Sequence, residues 1–301
     1  MARTEDGGAA HSSEGQTVGA VNAAASGPQC LDEGAHARVC RRKAQAVATS
    51  SPPLARLRIK GTYVPFDLRS LREITEHLAS DVPSRWEIVV TPNLHHIQLI
   101  RENDGLIEMY RNASIVLPDG WPVARLLARA TGTDVDRVPG SDLLESILNA
   151  DGGGRPLVLA GGEDSDALSA LAVRAGGNAW TVMTEPAPAE EVEDPDARRQ
   201  LLDRIASSGS GGLVVLGFGA PKQELFATDL AKCQGSGHIL CLGMSLNFSA
   251  GRHPRAPQWA QRTNLEWAHR MLTEPRRLVP RYARDARAFI PTLIENPRSR
   301  R

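Results

Sequence analysis

The sequence has few cysteines, the residues that most often staple small extracellular domains. The four that occur, Cys30, Cys40, Cys233 and Cys241, form no Cys-x-x-Cys pair and have no histidine at metal-ligand spacing. We therefore expect reduced thiols, which are typical of cytoplasmic proteins. With 301 residues, the chain is long enough to bury a large core without disulfide bonds or structural metal ions.

Long apolar runs are also missing. About 18 consecutive apolar residues occur nowhere, so the sequence predicts no membrane-spanning helix. The first residues, "MARTEDGGAAHSSEG", lack the basic start and the apolar stretch of a signal peptide. We expect a cytoplasmic protein whose contact with a membrane, if it makes one, is peripheral at the inner face.

The chain as a whole has no net charge. Its 35 lysines and arginines equal its 35 aspartates and glutamates, which excludes a general attraction to nucleic acids or membranes. Residues 252–301, however, contain twelve arginines, no lysine and four acidic residues, so this segment carries +8 and the rest of the chain −8. This asymmetry predicts an anionic partner for the C-terminal segment.

Aromatic residues are scarce, at 4% of the chain, and none occurs in residues 1–52. Because that segment is rich in Ala, Gly, Ser and charge, we predict a disordered N-terminal extension. Residues 53–251 are predicted to form an α/β catalytic core, and residues 252–301 a basic, helical C-terminal appendage.

Short apolar strands alternate with amphipathic helices through the central region, and the last predicted strand covers "HILCLGMSLNF". Between the helix "EDSDALSALAVRAGG" and the acidic, Pro-rich "TEPAPAEEVEDPD" no strand is predicted. This pattern predicts a Rossmann-like, largely parallel sheet flanked by helices. In such sheets ligands bind at the carboxyl ends of the strands. Polar or glycine-rich clusters follow the predicted strands at five such ends: "TPN", "PDG", "GG", "GFGAPKQE" and "SLNFSAG".

The cluster "GFGAPKQE" offers several ligand-binding groups. Gly217 and Gly219 permit positive φ and a close approach of the main chain to a ligand, and Pro221 stiffens the exit from the loop. Lys222 offers a charge to a phosphate, and Gln223 offers a donor and an acceptor to a base or sugar. The alternative is an ordinary strand-to-helix turn with surface charges.

The clusters "LPDG" and "TPN" carry a candidate general base with polar neighbours. Asp119 lies on a tight turn, where a carboxylate can take a proton from an attacking hydroxyl. Thr91 and Asn93 follow the neighbouring strand. The alternatives are a common Asp-Gly turn and helix caps, and we expect Ser141 to be a cap of this kind.

Two histidines and three acidic pairs receive no catalytic role. We assign catalysis to neither His95 nor His96. Paired carboxylates of the form Asp-x-Asp can hold a divalent cation against a diphosphate. The pair at 134–136 lies in a loop, that at 164–166 reads as the start of a helix, and that at 194–196 lies in an acidic linker, so we predict no metal site.

Arginines recur along the C-terminal segment. Arg270, Arg277, Arg281 and Arg284 are spaced by seven, four and three residues, so a helix would place them near one face. Guanidinium groups suit a diphosphate because each binds two oxygens at once, and such a cluster can replace a metal ion. The alternatives are a solvated basic helix and contact with an anionic membrane through the adjoining "AFIPTLI".

Six motifs occur in order along residues 57–282: "TPNLHHI", "LPDGWPVARLLARATGTDVDRVPGSDLL", "LVLAGG", "VVLGFGAPKQE", "APQWAQRTNLEWAHRMLTEPRRL" and "RY". Together they make this region similar to the WecG/TagA/CpsF family of bacterial glycosyltransferases. The resemblance implies an inverting, metal-independent transfer of an N-acetylmannosamine-type sugar from a UDP-sugar, with no further cofactor. The expected acceptor is a hydroxyl of a polyprenyl-diphosphate-linked sugar, in the synthesis of cell-surface polysaccharide or teichoic-acid-type polymers.

The resemblance also implies roles for single residues. Asp119 matches the general base of the family. Asn247 stands where the family motif has an aspartate, and because an amide cannot act as a base, we expect this position to shape substrate choice. The positions assigned to substrate binding lie beside the base, in the donor loop and among arginines expected to close over the diphosphate: Thr91, Asn93, Gly120, Ser141, Gly219, Pro221, Lys222, Gln223, Asn247, Arg270, Arg277 and Arg281.

Two other functions remain open. In the first, a glycosyltransferase acts on a soluble small-molecule acceptor, which the substitution at Asn247 motivates. In the second, the chain is a nucleotide- or nucleic-acid-binding module that uses its basic tail. The aromatic residues on which such modules stack bases are not evident, so we expect no nucleic-acid partner. Because members of the family can self-associate, a homo-oligomer is a further expectation.

Overall fold

The computed structural model describes residues 52–162, 164–252, 257, 266–273 and 275–298. The predicted N-terminal extension therefore lies, up to residue 51, outside the described residues, as do parts of the C-terminal segment. Cys233 and Cys241 are free, as predicted, whereas Cys30 and Cys40 lie outside the described residues.

Six strands form an all-parallel sheet, and a separate antiparallel hairpin precedes it. The strands are β1 Leu54–Ile59 and β2 Thr62–Asp67 in the hairpin, and β3 Trp86–Val90, β4 Ile115–Val116, β5 Pro156–Gly161, β6 Thr181–Glu185, β7 Gly212–Gly217 and β8 Gly237–Cys241 in the sheet. The spatial order of the sheet is β4-β3-β8-β7-β5-β6. The predicted parallel α/β sheet is confirmed.

Helices cover both faces of the sheet. They are α1 Leu71–Ser80, α2 Leu94–Glu102, α3 Asp104–Asn112, α4 Trp121–Thr131, α5 Gly140–Leu148, α6 Ser165–Gly176, α7 Ala189–Glu193, α8 Pro195–Gly209, α9 Lys222–Leu230, α10 Ser245–Ser249, α11 Glu266–Thr273 and α12 Pro275–Glu295. None of these helices has both the length and the apolar character needed to cross a bilayer.

Two apolar cores lie on opposite faces of the sheet because successive strand residues point to opposite sides. Along β8, for example, Ile239 packs in one core and Leu240 in the other. Continuous apolar strands are therefore buried on both faces, which is why the sequence pattern predicted a parallel sheet.

Several local predictions are wrong. The strand predicted over "HILCLGMSLNF" ends at Cys241, and α10 follows it, because Gly243 adopts a φ of 54° that interrupts the extended chain. Ser141 does not cap α5: the helix starts one residue earlier, with Pro139 at the N-cap. Asp194 lies not in a linker but at the N-cap of α8, where its side chain accepts from two main-chain N–H groups.

The acidic pair at 164–166 was predicted to start a helix, and this is confirmed. Asp164 is the N-cap of α6, and its Oδ1 accepts a hydrogen bond from the N–H of Ala167 at 2.6 Å. The same carboxylate pairs with Arg252 at 2.9 Å. Asp164 is therefore engaged in capping and in an ion pair.

The long C-terminal helix α12 packs on α2 and on the hairpin. Arg101 of α2 pairs with Glu295 at 3.0 Å. The side chain of Asn296, just after α12, accepts from the N–H of Arg58 at 2.8 Å and donates to its carbonyl oxygen at 2.7 Å. The predicted C-terminal helix is confirmed, and it is anchored to β1 of the core by these contacts.

Candidate functional site

The carboxyl ends of β3 and β4 bring Asn93 and Asp119 together. The N–H of Asp119 donates to the carbonyl oxygen of Pro92 at 3.2 Å. Asn93 Nδ2 donates to Asp119 Oδ2 at 3.5 Å. Neighbouring parallel strands thus place a half-buried carboxyl group beside an amide, which is an arrangement suited to a general base.

Asn93 also begins α2. Its Oδ1 accepts from the N–H of His95 at 3.0 Å, and its own N–H donates to His96 Nδ1 at 3.2 Å. This reciprocal cap is the alternative that the sequence left open for Asn93. The structure shows that the cap and the contact with Asp119 coexist, so the start of α2 fixes the position of the Asn93 amide.

A buried polar cluster lies behind this pair. Glu224 is only 1% exposed, and its Oε1 accepts from Tyr110 Oη at 3.1 Å and from Gln223 Nε2 at 3.0 Å. His96 Nε2 lies 3.7 Å from the same oxygen. Asp119, Asn93, His96, Glu224 and Gln223 therefore form a continuous series of neighbours along one edge of the sheet.

Burial sets the protonation of this cluster. Burial lowers the pKa of His96 to about 3, and the neighbouring His95 and Arg281 act in the same direction. Burial raises the pKa of Glu224, although hydrogen bonds from Gln223 and Tyr110 oppose that shift. At neutral pH His96 is therefore uncharged, and Glu224 holds its proton more strongly than an exposed glutamate does.

Gln223 links the start of α9 to the end of β8. Its side chain is 2% exposed, and its Oε1 accepts from the N–H of Gly243 at 2.9 Å. Because both polar groups of the side chain have protein partners, Gln223 holds the loop after β8 in place. Its predicted contact with a base or sugar stays a prediction.

The two glycines of the donor loop have different roles. Gly219 has a φ of 78°, and a Cβ placed on it would meet no atom within 4 Å. Its main chain therefore has open space beside it for a ligand. Gly217 could likewise have adopted a positive φ, but it does not, and a Cβ there would lie 2.5 Å from Leu246 Cδ1. Close packing against α10 explains that glycine.

Lys222 and Pro221 lie at the start of α9, with Pro221 at the N-cap. The Lys222 ammonium forms a surface ion pair with Glu193 and is about half exposed. That contact lowers the pKa of the Glu193 carboxyl. The predicted phosphate contact of Lys222 stays a prediction, since in this structure its partner is a carboxylate.

One strand end and two helix starts meet at Gly140. A Cβ on Gly140 would lie 3.0 Å from Thr91 Oγ1 and 3.2 Å from Ser245 Oγ. The end of β3, the start of α5 and the start of α10 are thus in contact. Thr91 is buried, and Ser141 follows Gly140 at the same place with 9% of its surface exposed.

Asn247 and Gly120 complete the predicted set on the core. Asn247 is 3% exposed, and its Oδ1 lies 3.5 Å from the position that a Cβ on Gly162 would take, at the end of β5. Gly120 adopts a φ of 79° at the N-cap of α4, beside the Asn93 side chain. Both residues therefore belong to the carboxyl edge of the sheet.

Arg281 of α12 approaches the site from the side of α2. His95 Nδ1 lies 2.9 Å from Asp285 Oδ1, and Arg281 Nε lies 3.7 Å from Asp285 Oδ2. The Arg281 side chain is 41% exposed. The side chains of Arg270 and Arg277 lie outside the described residues.

Sequence reasoning missed four residues of this edge. His95 docks α12 through Asp285, whereas His96, Tyr110 and Glu224 form the buried cluster. Both histidines lie in the first turn after the possible helix cap at Asn93, and this position could have indicated that they lie at the same edge of the sheet. Nothing in the sequence around Tyr110 indicates its role, because its partner Glu224 is 114 residues away.

The pKa of His96 predicts how stability depends on pH. Between pH 6.5 and about 3 the unfolded chain binds a proton at His96 that the folded chain excludes. The contribution of His96 to the free energy of unfolding should therefore fall as the pH falls through this range, by at most about 1.4 kcal/mol per pH unit. Urea unfolding of the wild type and of His96→Gln at pH 7, 6 and 5 measures the difference. An identical pH slope in both proteins would contradict a neutral, buried His96.

The family comparison covers the part of the chain that forms this edge of the sheet. A family model described as Glycosyl transferase WecG/TagA/CpsF family matches residues 59–301. The matched range contains all six strands of the parallel sheet and every predicted site residue from Thr91 to Arg281. The chain belongs to the WecG/TagA/CpsF family of glycosyltransferases.

Proposed function

We propose that this glycosyltransferase moves an N-acetylmannosamine-type sugar from a UDP-sugar to a hydroxyl of a polyprenyl-diphosphate-linked sugar, with inversion and without a metal ion. The observation that carries the proposal is the series of contacts from Asp119 through Asn93 and the buried cluster to Gln223. It joins the candidate base to the donor loop along the edge where parallel sheets bind ligands.

Asp119 acts as the general base. Its carboxylate takes the proton of the acceptor hydroxyl while that oxygen bonds to the anomeric carbon. The bond from this carbon to the UDP oxygen breaks, and the electron pair leaves with UDP. Asn93 orients the carboxyl group through its contact at 3.5 Å, and the cap of α2 fixes Asn93 in turn.

Cationic side chains stabilise the departing diphosphate. Arg281 is placed beside α2 by Asp285, and we assign Arg270 and Arg277 to the same task. Lys222 joins them when UDP is bound, because an ion pair between exposed side chains such as Lys222 and Glu193 is worth little in water. Fixed positive charges beside a leaving group can take the place of a metal ion.

The exposed face of α12 suits a membrane surface. Val279, Ile290 and Ile294 are 47%, 63% and 73% exposed, and their spacing of eleven and four residues places them on one side of the helix. Arg276, Arg284 and Arg287 are exposed on the same helix. Apolar side chains flanked by arginines favour peripheral binding to anionic lipids, which supports a lipid-linked acceptor at the inner face of the membrane.

Sedimentation with anionic liposomes tests this surface. The double variant Ile290→Asn/Ile294→Asn should bind at least about tenfold more weakly than the wild type, because each isoleucine loses about 1.5–3 kcal/mol of burial in lipid. Val173→Asn is the matched control, since Val173 is 79% exposed on α6. A wild type that stays in the supernatant would favour a soluble acceptor instead.

The reaction itself is tested by UDP release. Purified enzyme is mixed with a panel of UDP- and dTDP-sugars, with and without a polyprenyl-diphosphate-linked acceptor and with EDTA present. The proposal predicts acceptor-dependent release from a UDP-sugar that EDTA does not abolish. Release that is equally fast with a soluble sugar acceptor would favour the small-molecule alternative. That alternative is motivated by Asn247, which stands where the family motif has an aspartate.

A further inference from the structure

The amino-terminal edge of the sheet, opposite the candidate site, holds a second group of ionisable side chains. His77 lies in the last turn of α1, Asp81 is the C-cap of the same helix, and His238 is the second residue of β8. One ligand atom from each residue lies within 4.8 Å of the other two. None of the three belongs to the set described above.

Local structure brings these side chains to one point. His77 and Asp81 are four residues apart, a spacing that places both on the same side of the end of α1. His238 is paired with Glu87 of β3 in the parallel register. Its side chain projects to the same face of the sheet as Leu240, which packs in the core that α1 covers.

The His238 side chain is fully buried at this edge. It is 0% exposed, and within the described part of the chain neither ring nitrogen has a hydrogen-bond partner. The nearest carboxylate oxygens are Asp81 Oδ2, 3.6 Å from Nε2, and Glu87 Oε2, 3.9 Å from Nδ1. Buried polar atoms in folded proteins nearly always have a partner, so a ligand between these groups would remove a free-energy cost.

The Arg155 side chain fixes the end of α1, which carries His77 and Asp81. The Arg155 guanidinium donates to the carbonyl oxygens of Leu78, Ala79 and Asp81. The carboxylates of Asp81 and Glu87 offset its charge beside the two rings.

We propose that His77, Asp81 and His238 bind one Zn²⁺ ion, with water as the fourth ligand. Two imidazoles and one carboxylate are donors that zinc prefers. Ligand atoms around tetrahedral zinc lie about 3.4 Å apart, close to the 3.6 Å between Asp81 Oδ2 and His238 Nε2. Glu87 then accepts from Nδ1–H of His238 and orients the ring. The ion links the end of α1 to the start of β8 and takes no part in sugar transfer.

Calorimetric titration of the full-length, EDTA-treated protein with ZnCl₂ tests this site. Wild type should bind one Zn²⁺ that MgCl₂ does not displace. His77→Gln and Asp81→Asn should each raise the dissociation constant tenfold or more, and both positions are exposed enough for the variants to fold. Glu76→Gln is the control, since this exposed carboxylate precedes His77 on the same helix and should leave zinc binding unchanged.

Two results would overturn the proposal. One is a wild type that binds no Zn²⁺. The other is zinc binding that is equally tight in His77→Gln and Asp81→Asn, which would place the ion elsewhere on the chain. Addition of Co²⁺ gives a second readout, because a tetrahedral site produces a visible absorption band that both variants should lose.

Discussion

Replacing Asp119 by asparagine should lower the turnover number by about 10²- to 10⁴-fold, the usual contribution of a general base. Asparagine keeps the size of the side chain and its neighbour Asn93, but it cannot take the proton of the acceptor hydroxyl. The dissociation constant of UDP should remain nearly unchanged, because in our proposal UDP contacts the donor loop and the arginines and not Asp119. Steady-state UDP release gives the turnover number, and calorimetry gives the affinity.

Asp134→Asn is the matched control for this variant. Asp134 is exposed and begins one of the Asp-x-Asp pairs that a metal-dependent mechanism would use. The Asp134→Asn variant should retain the wild-type turnover number. If Asp119→Asn kept full turnover, Asp119 would not be the base. If Asp134→Asn were inactive instead, a cation held by that pair would become the better explanation.

Replacing Arg281 by glutamine should lower the turnover number by about 10²- to 10³-fold, the usual effect of removing one donor that stabilises charge in a transition state. The side chain is exposed enough to reach a ligand and is held near α2 by Asp285. Arg281→Lys should restore only part of the rate, because an ammonium group cannot bind two phosphate oxygens as a guanidinium fork does. Single-turnover kinetics with saturating UDP-sugar measure the effect.

Arg287→Gln is the control for Arg281, because Arg287 is exposed on the same helix. Equal losses in both variants would indicate that the overall charge of α12 matters and that no single arginine meets the diphosphate. Deleting α12 is a poorer test of the role of Arg281 than these single substitutions. Removing α12 would also remove the contacts of Asn296 with Arg58 and of Glu295 with Arg101, so folding and catalysis would fail together.

The sheet could be predicted from sequence because its strands are buried on both faces and read as unbroken apolar runs. β6 was missed for the opposite reason: it is an edge strand, and none of its five residues is buried. The end of β8 was misjudged because apolar residues continue past Cys241 into α10, where Leu246 and Asn247 are buried in a helix. Apolar character alone does not separate a buried strand from a short buried helix.

The approach of Asn93 to Asp119 could also be predicted, since both follow strands of one parallel sheet. The buried cluster could not. Glu224 reads as a surface residue in "PKQE", yet it is covered by Tyr110 and His96 from distant parts of the chain. The sequence also predicts that Lys222, two residues earlier, is a surface residue, and Lys222 is indeed exposed. Which of two neighbouring charged residues faces the core depends on long-range packing.

Amide hydrogen exchange with and without UDP tests the central claim most directly, that substrate binds at the carboxyl edge of the sheet. The account predicts slower exchange on addition of UDP in residues 91–93, 119–121 and 217–223, and in α12 around Arg281. Unchanged exchange in all four regions, or protection confined to the opposite edge around His238, would contradict it.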